Sequence, residues 1–461
     1  MRSESTAGSE SMGGSESDGG AESLEGAHGG GRPLSRMDRY MLDFQRAYPT
    51  RPVSVSSYLL RLAGSPDLDQ VRAAVLDRVR AFPALTERLV ERRGRAPRWE
   101  PGGVIDVTRH VREYPLPAGA TENDARAEAV RLSGVVTPLD GPAWEVGLLT
   151  SPGTGDVHII FRASHVWVDG LSQNRVLTYL FGDEATAMAG PAWIRPGKLT
   201  PGMLVSAARR QAASWAGPSG GLAALTGPGG GRPSVGWASI GVDRLRAVGQ
   251  AYGASVNDVY LVTVGGALAA WSSPVGQSPV RAVLSVSARR TAERSILGNA
   301  FVATRVALPL ELASPAERFE QVRRQTAPYK GGSSASLGER FWSDRVPSRL
   351  GRRTIGGGQE LRTAAVNTTN LGPIPGPLAV AGAPVITALP VPAVREGRRQ
   401  VVITLGGLGR TVTAGFTVPA PGGEELAELW LAEIEGLERA AGIVPVMDEA
   451  VVTLAAGPAP R

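Results

Sequence analysis

Two periods alternate along this chain, apolar residues every three or four positions in some stretches and every second position in others. SRMDRYMLDFQ, from Ser35, places Met37, Tyr40, Met41 and Phe44 on one face, with Ser35 as a cap and Asp38 three residues later, which predicts a helix start. VSSYLLRLAG alternates like a strand. In SPDLDQVRAAVLDRVRAFPALTERLV, Leu68, Val71, Val75, Leu76 and Val79 recur at helical spacing behind Ser65 or Asp67, until Phe82-Pro83 breaks the pattern. TENDARAEAVRLSG is a further amphipathic helix, and EVGLLTS a strand. The turn SPGTGD leads to the strand DVHIIFRAS, and LSQNRVLTYLF behind it is helical again.

The pattern loosens between Gly182 and Arg232, where PAWIRPGKLTPG and GPSGGLAALTGPGGGRP flank one helical stretch at 202–215. It then resumes as a strand (SVGWASIGV), a helix (DRLRAVGQAYG) and SVNDVYLVTVGGALAAWSS, a helix apolar on nearly every face and therefore buried. RAVLSVSAR, FVATRVALPL, AAVNTTNLG, PVITALPV, QVVITLGG and RTVTAGFTV read as strands. SPAERFEQVRRQTAPYK and EELAELWLAEIEGLERAAG read as helices, the latter the last element expected. Both halves mix strands and helices without the regular alternation of a doubly wound parallel sheet. The expected division is a tail at 1–33, a first lobe at 34–181, a crossover at 182–232 and a second lobe at 233–461.

Composition narrows the chemistry. The chain has 461 residues, 42% hydrophobic and 20% charged, as in an ordinary globular protein too long for one core. With no cysteine and four histidines, thiolate chemistry is excluded and a histidine metal site has little to build on, so no metal is expected. The serine-, glycine- and glutamate-rich opening stretch has nothing to bury and lacks the apolar core of a signal peptide. No segment offers the ~18 uncharged apolar residues of a membrane span, and a cytoplasmic placement is expected. Past residue 31 the chain carries 48 basic against 37 acidic groups. Such an excess suits an anionic membrane surface or a phosphorylated co-substrate such as coenzyme A. The arginines are scattered without aromatic interleaving, which gives no nucleic-acid signature.

The candidate chemistry lies in ASHVWVDGLS at 163–172, on a loop between a strand and a helix. A neutral histidine there, His165, could take a proton from an attacking alcohol or amine, provided its other ring nitrogen is held by a polar partner. Asp169 could organise the loop, most readily through an arginine, and Gly170 offers backbone freedom. A lone His-x-x-x-Asp-Gly is also a common turn, so spacing alone favours a structural histidine over a catalytic one. His110 and His158 read as structural, and His28 lies in the tail. GGSSASLG at 331–338 reads as a surface loop. The chain has no nucleophile elbow, phosphate-binding loop or dinucleotide fingerprint.

HVWVDG resembles the HHxxxDG motif of coenzyme A-dependent acyltransferases. SRMDRYMLDFQ, DVTRHVREYPLPAGA, TPLDGPAWEVGLL, GASVNDVYLVTVGGAL, LSVSAR with LGNAF, and TTNLGPIPGP together are similar, in order, to segments of the bacterial wax ester synthase/diacylglycerol acyltransferase family. The resemblance covers 35–445. It implies an α/β fold of two chloramphenicol-acetyltransferase-like lobes with mixed sheets and an active-site channel between them. It implies His165 and Asp169 as the catalytic-motif residues, His165 as general base and Asp169 structural and paired with Arg289. Asn257 and Asp258 match the family's Asn-Asp pair and Asn299 its Gly-Asn segment, each with helix capping or turn formation as the alternative role. Ser164 stands where the family has a first histidine, and PLDGPAWE lacks the charges of the family's PLDRSRPLWE, which puts a lipid acceptor in doubt. No bound cofactor is implied. Acyl-coenzyme A and an alcohol are the expected partners, with peripheral contact at the inner face of the membrane at most. A condensation-type enzyme using a carrier-protein thioester and an amine or polar hydroxyl, or a silent binding protein, are the alternatives.

Overall fold

Helices and strands form where the two periods place them, beginning with four helices that open on capping boxes. The computed structural model describes residues 31–50, 57–102, 104–152, 157–182, 199–226, 233–290, 293, 296–330, 334–347, 350, 360–392, 399–419, 421–444 and 451–455. Most of the expected tail with His28, residues 183–198 and 227–232 of the expected crossover, and the Gly-Thr-Gly-Asp part of SPGTGD lie outside the described residues.

The first half runs β1 (Arg32–Pro33), α1 (Arg36–Ala47), β2 (Ser57–Leu62), α2 (Leu68–Ala81), β3 (Glu87–Val90), β4 (Arg98–Pro101), α3 (Val107–His110) and β5 (Val111–Pro115). It continues with α4 (Glu122–Ser133), β6 (Trp144–Thr150), β7 (His158–Ala163) and α5 (Gly170–Phe181). The stretch expected as a crossover contains α6 (Pro201–Trp215) and β8 (Gly221–Leu222). The second half runs β9 (Ser234–Gly241), α7 (Val242–Ala251), α8 (Val256–Trp271), β10 (Pro274–Val275), β11 (Arg281–Ser287), β12 (Phe301–Ala307), α9 (Pro315–Thr326) and α10 (Ser334–Ser343). It ends with β13 (Val366–Asn370), β14 (Ala379–Val380), β15 (Ala383–Val391), β16 (Val401–Leu408), β17 (Thr411–Val418), α11 (Gly423–Ala440) and β18 (Val451–Ala455).

Capping boxes start α1 (Ser35 with Asp38), α2 (Asp67 with Gln70), α4 (Thr121 with Asp124) and α8 (Ser255 with Asp258). Each satisfies two backbone N–H groups that a helix start leaves orphaned.

Two mixed sheets carry the lobes. The first has the order β14-β15-β2-β7-β6-β5, antiparallel except for the β5–β6 edge pair. The second has the order β12-β11-β13-β16-β17-β9-β18, with β13 parallel to both neighbours. β7 is buried on both faces: Ile159 and Phe161 enter one core while Ile160 enters another with Trp237 and Leu389. Each such side chain contributes about 1.5–3 kcal/mol of burial.

The sheets do not follow the halves of the chain. β14 and β15 lie among residues 233–461 yet hydrogen-bond into the first sheet, β15 along the whole of β2. Trp237 Nε1 on β9 donates to Pro390 O on β15 at 2.7 Å, tying the sheets together. Glycines permit the approach, since a Cβ on Gly415 would meet Pro390 O at 2.6 Å and one on Gly406 would meet the Tyr58 hydroxyl at 2.6 Å.

Some elements depart from the periodic reading. GGSSASLG is not a surface loop throughout: α10 starts at Ser334 and buries Ala335 and Ser336. The hairpin β3–β4, the edge strand β5 and the closing strand β18 carry too many charges or too few residues to show a period of two.

Candidate active site

The loop leaving β7 is held from both ends. Ser164 N–H donates to Ala143 O at 2.8 Å, and Ser164 O accepts from the Trp167 and Val168 N–H groups, closing a tight turn. Val166, Trp167 and Val168 are fully buried, and the Trp167 indole donates to Glu87 Oε2 at 3.1 Å. Glu87 in turn pairs with Arg32 at 2.9 Å. With its neighbours packed away, His165 is left half-buried at the edge of the turn, its ring 5.4 Å from that of Phe301.

Asp169 is the N-cap of α5, accepting from Ser172 N–H at 3.0 Å. Its other oxygen accepts from Arg289 Nη1 at 2.6 Å and from Ala300 N–H at 2.9 Å. Burial would raise this carboxyl, but the Arg289 charge and these bonds overcome it and hold it below the ordinary aspartate range. Arg289 also donates to Gly298 O and to Ser172 Oγ, each at 2.7 Å. Gly298 has φ +124°, a conformation that side chains resist, so the strand-loop approach to Asn299 needs a glycine there. The pair therefore welds the first-lobe loop 164–172 to the second-lobe segment 298–300.

That weld brings Asn299 to the histidine. His165 Nδ1 lies 2.8 Å from Asn299 Oδ1, while Asn299 Nδ2 donates to His165 O at 2.7 Å and to Asp38 Oδ1 at 2.8 Å. A carbonyl and a carboxylate only accept, so the amide nitrogen must face them and the amide oxygen must face the ring. Nδ1 then carries a proton, and in the neutral imidazole the lone pair a base requires is on Nε2.

The remaining residues separate into supports. Ser164 is buried, its Oγ accepting from Val166 N–H at 3.2 Å, so this side chain shapes the turn beside the histidine. Gly170 does not have the positive φ that backbone freedom would imply; a Cβ there would meet Leu371 Cδ2 at 2.2 Å, so any side chain would have to displace that leucine. Asp258 completes the α8 capping box with Ser255 and binds Lys330 and Thr326, each at 2.6 Å; burial would raise its carboxyl, but these bonds hold it low. Asn257 accepts from Asn370 Nδ2 at 3.3 Å, beside the segment that touches α5 through Asn174 and Leu371 O. His110 binds Trp144 O at 3.0 Å and is depressed by burial, and His158 lies buried on β7. Asp38 is the site residue that the periodicity does not reveal. Its spacing from Ser35 explains it as a cap, and nothing local signals its second partner, 261 residues away.

Among the described residues no cluster of three or more His, Cys, Asp or Glu could hold a metal ion, and no helix is long and apolar enough to cross a membrane.

Residues 34–227 match the family described as the wax ester synthase/diacylglycerol acyltransferase catalytic domain. A Mycobacterium tuberculosis H37Rv protein, provisionally named a diacylglycerol O-acyltransferase, is 28% identical over 282 residues, 52% of this chain and 55% of its own. The chain thus spans about half the length of the curated relatives it matches. The wax ester synthase/diacylglycerol acyltransferase of Marinobacter aquaeolei VT8 superposes with a TM-score of 0.61 at 20% identity, covering 89% of this chain and 100% of that one. The starter condensation domain of rhizomide synthetase, solved with C8-CoA, superposes with a TM-score of 0.58 at 17% identity, covering 89% and 95%. The two-lobed fold of mixed sheets is shared with both.

Proposed function

We propose that this relative of the wax ester synthase/diacylglycerol acyltransferases moves an acyl group from acyl-coenzyme A to a hydroxyl acceptor, with His165 as general base. The observation that carries the reading is the His165–Asn299 bond. It holds the neutral imidazole with its lone pair on Nε2, on a loop whose His-x-x-x-Asp-Gly resembles the family motif and which lies inside the matched stretch 34–227. Nε2 takes the hydroxyl proton as the acceptor oxygen attacks the thioester carbonyl. The tetrahedral oxyanion collapses, the carbon–sulfur bond breaks, and the proton passes from Nε2 to the leaving thiolate. Asp169 and Arg289 position the loop and touch no reacting atom in this scheme. Of the +11 charge beyond residue 31, part would serve the phosphates of the donor.

A second reading is favoured by Ser164. A small buried hydroxyl stands where the family motif has an imidazole, which alters the volume and polarity beside the base and suits an acceptor more polar than a long-chain alcohol. Under that reading the donor could be a carrier-protein thioester.

Thiol release from acyl-coenzyme A of several chain lengths, crossed with long-chain alcohols, diacylglycerol and polar hydroxyl or amine acceptors, tests both readings. Turnover should fall by roughly 10²–10⁴-fold in His165→Ala, the usual contribution of a general base. A His165→Ala protein that still turns over with its fold intact would sink the proposal. Release only from an acyl-carrier protein would favour the second reading.

A further inference from the structure

Two buried groups from separate parts of the chain, Asn299 and behind it Asp38, line up on the ring nitrogen that does not react. Asp38 is wholly buried, and its two oxygens have different duties. Oδ2 accepts from Ser35 N–H at 2.9 Å as half of the capping box and faces Arg32 Nη1 at 3.7 Å. Oδ1 points the other way and accepts from Asn299 Nδ2 at 2.8 Å. Asn299 Oδ1 then meets His165 Nδ1. A helix cap needs only the first of these bonds, so capping leaves Oδ1 unexplained.

Resting on the acyl-transfer reading above, we propose that Asp38 is a positioning residue of the base, setting the His165 tautomer through Asn299. Flipping the Asn299 amide would set its oxygen against Asp38 Oδ1 and against His165 O, two acceptors with no proton between them. Hydrogen bonds to a charged group are roughly twice as strong as neutral ones, so the carboxylate is the stronger of the two guides. With the amide held, Nδ1 can only donate, and the lone pair stays on Nε2. When Nε2 takes a proton, the same chain polarises toward the ring: the Asp38 charge strengthens the Asn299 amide as acceptor of the Nδ1 proton. The carboxylate serves the imidazolium without touching it, and without lying on the element that carries the histidine.

Asp38→Asn reverses the demand. The new amide must turn its oxygen to Ser35 N–H, which leaves its own NH₂ group facing Asn299. That sets two NH₂ groups against each other and leaves His165 O as the one remaining guide of the unflipped amide, so the flipped form, with its NH₂ facing Nδ1 and the proton on Nε2, gains population.

The test is nitrogen NMR of protein labelled at histidine nitrogens, where the chain has four histidines and His165→Ala assigns the signal. In the unmodified resting protein His165 should be the Nδ1–H tautomer; the Nε2–H form there would overturn the inference without any variant. Asp38→Asn should shift the signal toward the Nε2–H form and lower kcat by about 10²-fold or more with KM little changed. Ser35→Ala, which loses the cap and keeps the Asn299 contact, should loosen α1 while leaving tautomer and kcat as they were. An unmoved tautomer in Asp38→Asn, or a Ser35→Ala protein with the same kcat loss, would overturn it. Because the tautomer is read on resting protein, failure here is distinct from failure of the acyl-transfer reading, which would appear as an active His165→Ala protein.

Discussion

Replacing Asp169 with alanine removes one half of a buried ion pair on which two segments of the site depend. Asp169 is 5% exposed and Arg289 8%, so water can compensate neither. The change leaves the Arg289 guanidinium buried against two neutral oxygens, and breaking a buried pair in this way costs on the order of 3–5 kcal/mol. Arg289 keeps its bonds to Gly298 O and Ser172 Oγ, which argues for the lower end, about 3 kcal/mol. The lost N-cap of α5 adds about 1 kcal/mol. A total near 4 kcal/mol should appear in urea titration as a lower midpoint at constant slope. Arg289→Leu alone should cost a similar amount. The double variant should cost less than the sum by ~2–3 kcal/mol, because the charge left stranded in each single variant is gone. The acid limb provides a check of sign. The folded-state carboxyl is held low, so its stabilisation is present above the unfolded value of about 3.9 and is lost as pH falls through the folded value. The gap between the parent and Asp169→Asn should therefore close only below about pH 4. Additive single costs, or a loss under ~1 kcal/mol for Asp169→Ala, would refute the claim that this pair joins the two segments.

Two further outcomes follow from close approaches. Gly170→Ala should cost about 1–3 kcal/mol by overpacking against Leu371, with part of the loss recovered by adding Leu371→Ala; a change within ~0.5 kcal/mol in the same titration would contradict it. Trp237→Phe removes the Nε1 bond to Pro390 O and some buried volume, so about 1–3 kcal/mol should be lost and amide exchange along β15 should quicken. Unchanged protection of β15 would show that the indole does not tie the sheets.

Local physics accounts for much of this molecule. The caps at Ser35, Asp67, Thr121 and Ser255, the break at Phe82-Pro83 and the all-round apolar helix α8 are decided within a few residues, and so each is readable from the chain alone. The His-x-x-x-Asp-Gly loop between β7 and α5 is readable in the same way, as is the mixed α/β character of both halves. Pairing across hundreds of residues is different, because no local period records it. That β15 joins β2, and that Gly406 and Gly415 let the two sheets touch, are matters of shape between distant strands. That Leu371 lies against Gly170, and that Asp38 reaches Asn299, depends on what the fold brings opposite. By itself the chain determined where a base could stand. Tertiary structure decided what faces that histidine, because the Asn299 amide at His165 Nδ1 comes from the segment before β12 and the Asp38 carboxylate behind it from the first helix.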